Sequence, residues 1–306
     1  MQKKILTLSL MIGMLTVLHG GLAFSSEQKM DAAGYVGAET CKDCHEGQYA
    51  SYAQSIHSKA PAQGPGNKNS CESCHGPASR HVDGGGDTSA IFTFAGKKVE
   101  ADAKAARCLS CHEDTSYVAF WDTSRHKAAG VSCDDCHSGH SNQPKNLKAA
   151  QSELCFSCHK DIRSQANRQS HHPIVEGKVS CSDCHDPHGG FGSKMIKADS
   201  VNDLCYSCHA DKRGPYMWEH PPVEENCMTC HTAHGSNHTK LLTRKGPHLC
   251  QSCHDWTQHP STSYAANGTF TNGTPVRQFV GRNCLNCHNN VHGSNGAPTQ
   301  ALRFVR

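Results

Sequence analysis

The longest apolar run of the chain lies near its start, at residues 5–18, directly after the basic pair Lys3 and Lys4. Small residues follow, and Ala23 and Ser25 are suitable cleavage points. A basic start, a short apolar stretch and small residues are typical of a Sec-type signal peptide. We therefore predict that residues 1–25 are a signal peptide, with an uncleaved membrane anchor as the alternative, and that residues 26–306 are exported.

The rest of the chain is polar, and no other stretch is apolar enough to cross a bilayer by itself. The 306 residues include only 9 Phe, 7 Tyr and 3 Trp, whereas Gly, His and Cys are abundant. Such a chain buries too little apolar side-chain surface to offset the conformational entropy that it loses on folding. Either it is disordered, or a group other than its side chains fills the core.

All twenty cysteines lie in Cys-x-x-Cys pairs, and a histidine follows every pair at once. The cysteines are Cys41, Cys44, Cys71, Cys74, Cys108, Cys111, Cys133, Cys136, Cys155, Cys158, Cys181, Cys184, Cys205, Cys208, Cys227, Cys230, Cys250, Cys253, Cys284 and Cys287. The histidines are His45, His75, His112, His137, His159, His185, His209, His231, His254 and His288. Disulfides or zinc sites would also use paired cysteines. Neither requires a histidine at the same offset ten times out of ten.

This order of residues has a direct chemical reason. Two thiols three residues apart lie on one side of a helical turn, where they can form thioethers with the two vinyl groups of one haem. The next residue then brings its imidazole to the iron as the proximal ligand. We predict ten covalent c-type haems, which supply the missing apolar core. The expected fold is a multihaem cytochrome c with short helices around the haems, little sheet and much irregular chain.

A second set of histidines matches the haems in number. Of the 24 histidines, ten follow the cysteine pairs and His19 lies in the predicted signal peptide, so thirteen remain. We predict that ten of them are distal iron ligands: His57, His126, His172, His220 and His259 between two motifs, and His81, His140, His188, His234 and His292 after a second motif. The spares are His171, His238 and His248. His171 remains an alternative to His172 and His248 to His259, and the haem that each distal histidine serves stays open.

The motifs also group into a repeat. Five dihaem modules are predicted, at residues 39–81, 105–140, 153–189, 203–235 and 248–293. Corresponding motifs recur at a nearly constant spacing through the middle of the chain, which is typical of repeat architecture. Gly189, Gly235 and Gly293 each follow a distal histidine, and glycine there suits a close approach of the backbone to a ring.

Bis-histidine ligation favours electron transfer over catalysis. Two imidazoles fill both axial positions of an iron, so no substrate can bind it, and the absence of a regularly placed methionine indicates low potentials. We therefore predict no catalytic residues. The alternative, a multihaem reductase, would need one iron without a distal ligand.

The formal charge changes once the haems are counted. The sequence carries +3, but each bis-histidine haem with two ionised propionates is negative, so the holoprotein is acidic by about ten to twenty charges. Nucleic acid is therefore excluded as an expected partner.

The chain resembles the periplasmic decahaem cytochromes of the MtrA/DmsE family. The resemblance rests on the opening "YVGAETCKDCHEGQYASYAQSIHSKA", on "CSDCHDPHG" and "CMTCHTAHG", and on the number and order of the motifs. It covers essentially the whole mature chain.

The resemblance implies an elongated haem wire with all irons bis-histidine ligated. It implies a periplasmic protein held in an outer-membrane β-barrel porin, with periplasmic and extracellular redox cytochromes as further partners. Electrons would then pass between the periplasm and an extracellular acceptor or donor, in metal reduction or iron oxidation. The alternative is a free periplasmic shuttle that donates to a terminal reductase.

Overall fold

The computed structural model describes residues 34–59, 71–96, 99–254, 283–286 and 288–296. The predicted signal peptide, His259 and Cys287 lie outside the described residues.

The described chain folds into short helices joined by turns and irregular segments. The α-helices are α1 Ala38–Lys42, α2 Glu46–Gln54, α3 Ile56–Lys59, α4 Glu72–His75, α5 Ser79–Asp83, α6 Ala101–His112, α7 Arg125–Ala128, α8 Cys133–Cys136, α9 Gln151–Phe156, α10 Lys160–Ala166, α11 Cys181–Cys184, α12 Val201–Tyr206, α13 Pro221–Glu225 and α14 Gly246–Gln251. Single 3₁₀ turns lie at Thr88–Ala90, Ser116–Val118, Trp121–Thr123, Pro144–Asn146, Ser193–Met195, Ala210–Lys212, Cys227–Thr229, Thr239–Leu241 and Cys284–Asn286.

Strand pairing is confined to isolated bridges. The described ranges contain no β-strand, only single antiparallel bridges such as Ser170 with Ser236 and Trp218 with Ser294. The prediction of short helices, little sheet and much irregular chain is therefore confirmed. Within the same ranges, no helix combines the length and the apolar character needed to cross a membrane.

Each attachment motif is one helical turn. In nine motifs the amide of the histidine donates a hydrogen bond to the carbonyl of the first cysteine, with N···O distances of 2.8–3.0 Å, and the tenth motif ends the longest helix, α6. Two of these turns begin with a capping box, in which a serine and an aspartate three residues later bond each other's backbone: Ser132 with Asp135 and Ser180 with Asp183. The turn brings both thiols and the imidazole to one site.

Apolar side chains form little core of their own. Among the described residues, the buried apolar side chains that pack together are Phe156, Ala166 and Ile174, with Ile162 and Val179 against them. Other buried apolar residues, such as Trp121 and Leu242, lie apart from this cluster. The sparse core agrees with the polar composition.

Successive repeats contact each other through backbone at the glycines that follow the distal histidines. A Cβ on Gly235 would overlap the carbonyl oxygen of Gln165 and lie 2.8 Å from its carbon, and a Cβ on Gly189 would lie 2.9 Å from the carbonyl carbon of Phe120. At Gly293 the approach is to the ring of Tyr216. The expected close approach is present, but at Gly189 and Gly235 the structure places a backbone carbonyl there.

Candidate haem-binding sites

The first cysteines of the two motifs in each predicted module lie side by side. The thiols of Cys108 and Cys133 lie close enough to shift each other's pKa, and so do those of Cys155 and Cys181. The same contact joins Cys41 with Cys71, Cys205 with Cys227, and Cys250 with Cys284. Every predicted module therefore brings its two attachment sites together.

The second cysteines make the contacts between modules. The thiols of the following pairs lie close enough for their charges to interact: Cys74 with Cys111, Cys136 with Cys158, Cys184 with Cys208, and Cys230 with Cys253. First-cysteine and second-cysteine contacts thus alternate along the chain. They place the ten attachment motifs next to one another in the order of the sequence.

The pKa values of these thiols shift in both directions, and the contact with Cys155 lowers that of Cys181 to about 7. Burial, followed by the neighbouring Cys71 thiol, raises the pKa of Cys41 to about 12. The nineteen described cysteines are all free thiols, and within the described ranges no group of three or more His, Cys, Asp or Glu side chains is arranged to hold a metal ion.

Nine of the ten motif histidines face a predicted distal histidine at a nearly constant distance. The ring centroids are 6.0–6.2 Å apart. The pairs are His45–His81, His57–His112, His75–His140, His126–His159, His137–His188, His172–His209, His185–His234, His220–His254 and His231–His292. A metal bound at about 2 Å from each imidazole nitrogen would separate two ring centroids by about 6 Å. The paired side chains therefore fit an iron between them.

The pairs cross the predicted module boundaries. His126 lies between the third and fourth motifs but faces His159 of the fifth, and His234 follows the eighth motif but faces His185 of the sixth. Among the nine described pairs, His45–His81 is the one that lies within a single predicted module. In the other eight, the distal histidine belongs to a different module from the motif that it faces, which sequence proximity could not reveal.

Backbone carbonyls orient the distal rings. The Nδ1 atoms of three distal histidines donate to the carbonyl that precedes a distal histidine of the next module: His126 to Pro187 at 2.8 Å, His172 to Ala233 at 2.7 Å and His220 to Val291 at 3.0 Å. An N–H on Nδ1 leaves Nε2 as the nitrogen with a free lone pair. These bonds hold each ring in the tautomer that can bind a metal through Nε2.

The motif histidines are oriented in the same way within their own repeat. His137 Nδ1 bonds the carbonyl of Lys145 at 2.8 Å, His185 that of Lys194 at 3.0 Å, and His231 that of Lys240 at 2.8 Å. The backbones of the three lysines are left-handed, with φ near 58°, a conformation that residues other than glycine seldom adopt. Sequence reasoning missed these carbonyls. The recurring stretches "PKNL", "SKMI" and "TKLL" were the available signal.

Burial favours the neutral ring at five of the distal positions. Desolvation lowers the pKa of His140, His188, His220, His234 and His292. Neutral imidazole is the form that binds metals.

His171 and His172 differ in what their rings contact. His172 faces His209, whereas His171 bonds the carbonyl of Arg168 through Nδ1 and the carboxylate of Glu176 through Nε2 at 3.0 Å. Both nitrogens of His171 are thus engaged by protein atoms. Among the described ring pairs, the spare histidines His238 and His248 do not face a motif histidine.

Two family profiles match parts of the chain. The doubled CXXCH motif matches residues 126–164, 171–214 and 220–259, and the profile for cytochrome c554 and c-prime matches residues 40–70 and 87–138. Each doubled-motif match begins at or just before a distal histidine and contains its partner, as His126 and His159 illustrate. Each match therefore joins the second motif of one predicted module to the first motif of the next. Together, motifs and matches define a multihaem c-type cytochrome, an electron-transfer protein with covalently bound haem.

The particular family follows from a longer comparison. The chain is 40% identical over 269 residues to the multihaem cytochrome MtrA of Shewanella baltica strain OS185, which covers 85% of this chain and 79% of that protein. The chain belongs to the MtrA family of multihaem cytochromes, which confirms the resemblance seen in the sequence.

More distant relatives are larger. The C-type polyhaem cytochrome OmcB of Geobacter sulfurreducens is 24% identical over 304 residues, which cover 86% of this chain but 37% of that protein. The high-molecular-weight cytochrome c of Nitratidesulfovibrio vulgaris is 23% identical over 152 residues, 49% of this chain and 25% of that protein.

Proposed function

We propose that this chain carries ten covalent haems, each between two imidazoles, and passes electrons from one to the next in sequence order. The nine histidine pairs at 6.0–6.2 Å carry this proposal. The alternating cysteine contacts support a single file of haems rather than a cluster. For the tenth haem, the proposed partner of His288 is His259, with His248 as the alternative.

The protein's own residues do three things in this scheme. The cysteines fix each ring plane to one helical turn, the paired imidazoles close both axial positions, and the carbonyls of residues such as Lys145 and Pro187 hold the imidazoles in place. The bound haem supplies one-electron chemistry. Because no axial position is left for a substrate, the proposed role is electron transfer without catalysis.

The haem count and ligation can be tested on the purified protein. Intact-mass measurement should find the mass of the chain without its leader plus ten haems. Electron paramagnetic resonance of the oxidised protein should show low-spin signals alone. A high-spin signal in the native protein would contradict complete bis-histidine ligation and favour a reductase.

We further propose that the haem file is the conductor of an outer-membrane porin–cytochrome complex, exported to the periplasm and held inside a β-barrel. A bilayer core is about 30 Å thick, and an acidic, polar chain needs a closed protein sheath to cross it. Membership of the MtrA family supports this proposal, as does the predicted signal peptide. The partners would be the porin and redox cytochromes on both sides of the membrane.

The porin proposal is tested by affinity purification of the C-terminally tagged protein from detergent-solubilised outer membranes. Recovery of a β-barrel protein in equal amount would support the conduit. Recovery from the soluble periplasmic fraction alone, without a barrel, would refute the conduit and favour a periplasmic shuttle.

A further inference from the structure

A buried carboxylate lies inside the second attachment motif. Glu72 follows Cys71 directly, at the start of α4, and is 2% exposed. It is among the largest side chains of the described residues that are fully buried. Carboxylates are seldom buried to this degree unless their charge is compensated.

Backbone amides hold this carboxylate. Oε1 accepts hydrogen bonds from the amides of Val36 and Ala78, each at 3.0 Å, and Oε2 accepts one from Gly37 at 2.9 Å. The left-handed backbone of Gly37, with φ 85°, lets its amide take part. Glu72 therefore joins the segment before the first motif to the loop after the second. Its partners are neutral dipoles, which leave its net charge in place.

No cation pairs with Glu72 among the residues that the structure describes. The guanidinium of Arg107 lies in the same region, but it stacks on the ring of Phe92 at 4.5 Å. The field of the carboxylate reaches the first motif: burial and Cys71 raise the pKa of the Cys41 thiol, and the charge of Glu72 adds to the rise.

The corresponding positions of the other modules lack such a charge. Asp134 is paired with Lys104 at 3.6 Å, with both side chains mostly buried. Ser182 is uncharged, and its hydroxyl donates a hydrogen bond to Oε1 of Gln151 at 3.2 Å. The last two positions are Met228 and Leu285. The N-terminal module alone therefore carries an unpaired buried negative charge at this place.

We propose that Glu72 is a potential-setting residue, which lowers the reduction potentials of the first two haems. The inference rests on the proposed attachment of haems to the first motif and to the second, in which Glu72 lies. A ferric haem carries one more positive charge than a ferrous haem, so a fixed negative charge in a dry site stabilises the oxidised form. Electrons in the chain are thereby biased away from its N-terminal end.

The test compares redox titrations of the complete holoprotein with those of Glu72→Gln, Glu72→Asp and Asp43→Asn. Glu72→Gln removes the charge and keeps the shape, Glu72→Asp keeps the charge, and Asp43→Asn removes an exposed charge from the first motif. In the Glu72→Gln protein, the part of the absorbance change that corresponds to two haems in ten should occur at a higher potential than in the wild type. The rest of the titration curve should superimpose on that of the wild type. Glu72→Asp should follow the wild type, and Asp43→Asn should shift less than Glu72→Gln.

Two outcomes would overturn the proposal. One is a Glu72→Gln curve that matches that of the wild type or of Asp43→Asn. The other is a Glu72→Asp curve that shifts as far as that of Glu72→Gln. If Glu72→Gln does not mature, Ser182→Asp carries the test: it should move two haems in ten to lower potential, and an unchanged curve would refute the idea. Haem content is measured separately and tests the proposed function. A wild-type protein with fewer than ten haems would contradict the proposed decahaem function but not the proposed effect of Glu72.

Discussion

Replacing Gly235 with alanine should loosen the contact between the third and fourth modules. The added Cβ would overlap the carbonyl oxygen of Gln165 and lie 2.8 Å from its carbon, whereas an ordinary contact of this kind is about 3.5 Å. The two atoms that the Cβ would overlap belong to the backbone of Gln165, so a side-chain rotation cannot relieve the overlap. One of the two segments must move by about 1 Å.

The cost can be worked out from the bonds that such a movement breaks. Ser170 and Ser236 exchange two backbone hydrogen bonds, at 3.0 and 2.7 Å, and His172 Nδ1 donates to the carbonyl of Ala233 at 2.7 Å. At about 1 kcal/mol each, the loss of all three costs about 3 kcal/mol. For a chain of this size, that corresponds to a fall of roughly 6–12 °C in the melting temperature.

The assay is thermal unfolding of the holoprotein followed by circular dichroism in the Soret band. Gly139→Ala is the matched control, because Gly139 also lies beside a distal histidine but no atom is within 4 Å of its added Cβ. A Gly235→Ala protein that melts within about 2 °C of Gly139→Ala would refute the reasoning, since it would mean that the backbone contact does not join the modules.

Three further predictions concern single side chains. His172→Ala should convert one haem in ten to a high-spin form visible by electron paramagnetic resonance, whereas His171→Ala should leave every haem low-spin; the reverse result would exchange their roles. Lys104→Ala should destabilise the holoprotein by about 2 kcal/mol in chemical denaturation because it leaves Asp134 buried without its cation, and adding Asp134→Asn should recover part of the loss; a more stable single variant would contradict this. Hydrogen bonds from Ser180 lower the pKa of Asp183 in the folded protein. The helix cap that Asp183 forms with Ser180 should therefore stabilise the fold by up to about 1 kcal/mol at pH values above about 3.9, the pKa of an unfolded aspartate. This stabilisation should vanish as the pH falls through the lower pKa of the folded state. Denaturation of Asp183→Ala and wild type at pH 7 and pH 3 measures this, and an equal difference at both values would count against it.

Much of the site could be predicted because its chemistry is local. The spacing of Cys41, Cys44 and His45 is set by one helical turn, and the same turn recurs at each described motif. The shortage of apolar side chains correctly predicted a sparse core with short helices. The number of spare histidines suggested one distal partner for each motif, and nine such partners face motif histidines in the structure.

The choice of partner could not be predicted in the same way. His57 is close in sequence to the first two motifs, yet it faces His112 of the third. Such a pairing depends on how the chain returns on itself, which a chain with few apolar positions does not encode in its periodicity. The charge of Glu72 was visible in the sequence, but its burial depends on amides from two separate segments.

The sequence by itself indicated the cofactor class, the proposed positions of attachment and the sparse apolar core of the described residues, because each of these depends on residue type and on spacings within one helical turn. Tertiary structure decided the order of the motifs in space, the pairing of histidines across modules and the site of an unpaired buried charge. These depend on contacts between segments far apart in the sequence, such as that between His220 and Val291, 71 residues apart, where the chain's path and not its local pattern sets the distance.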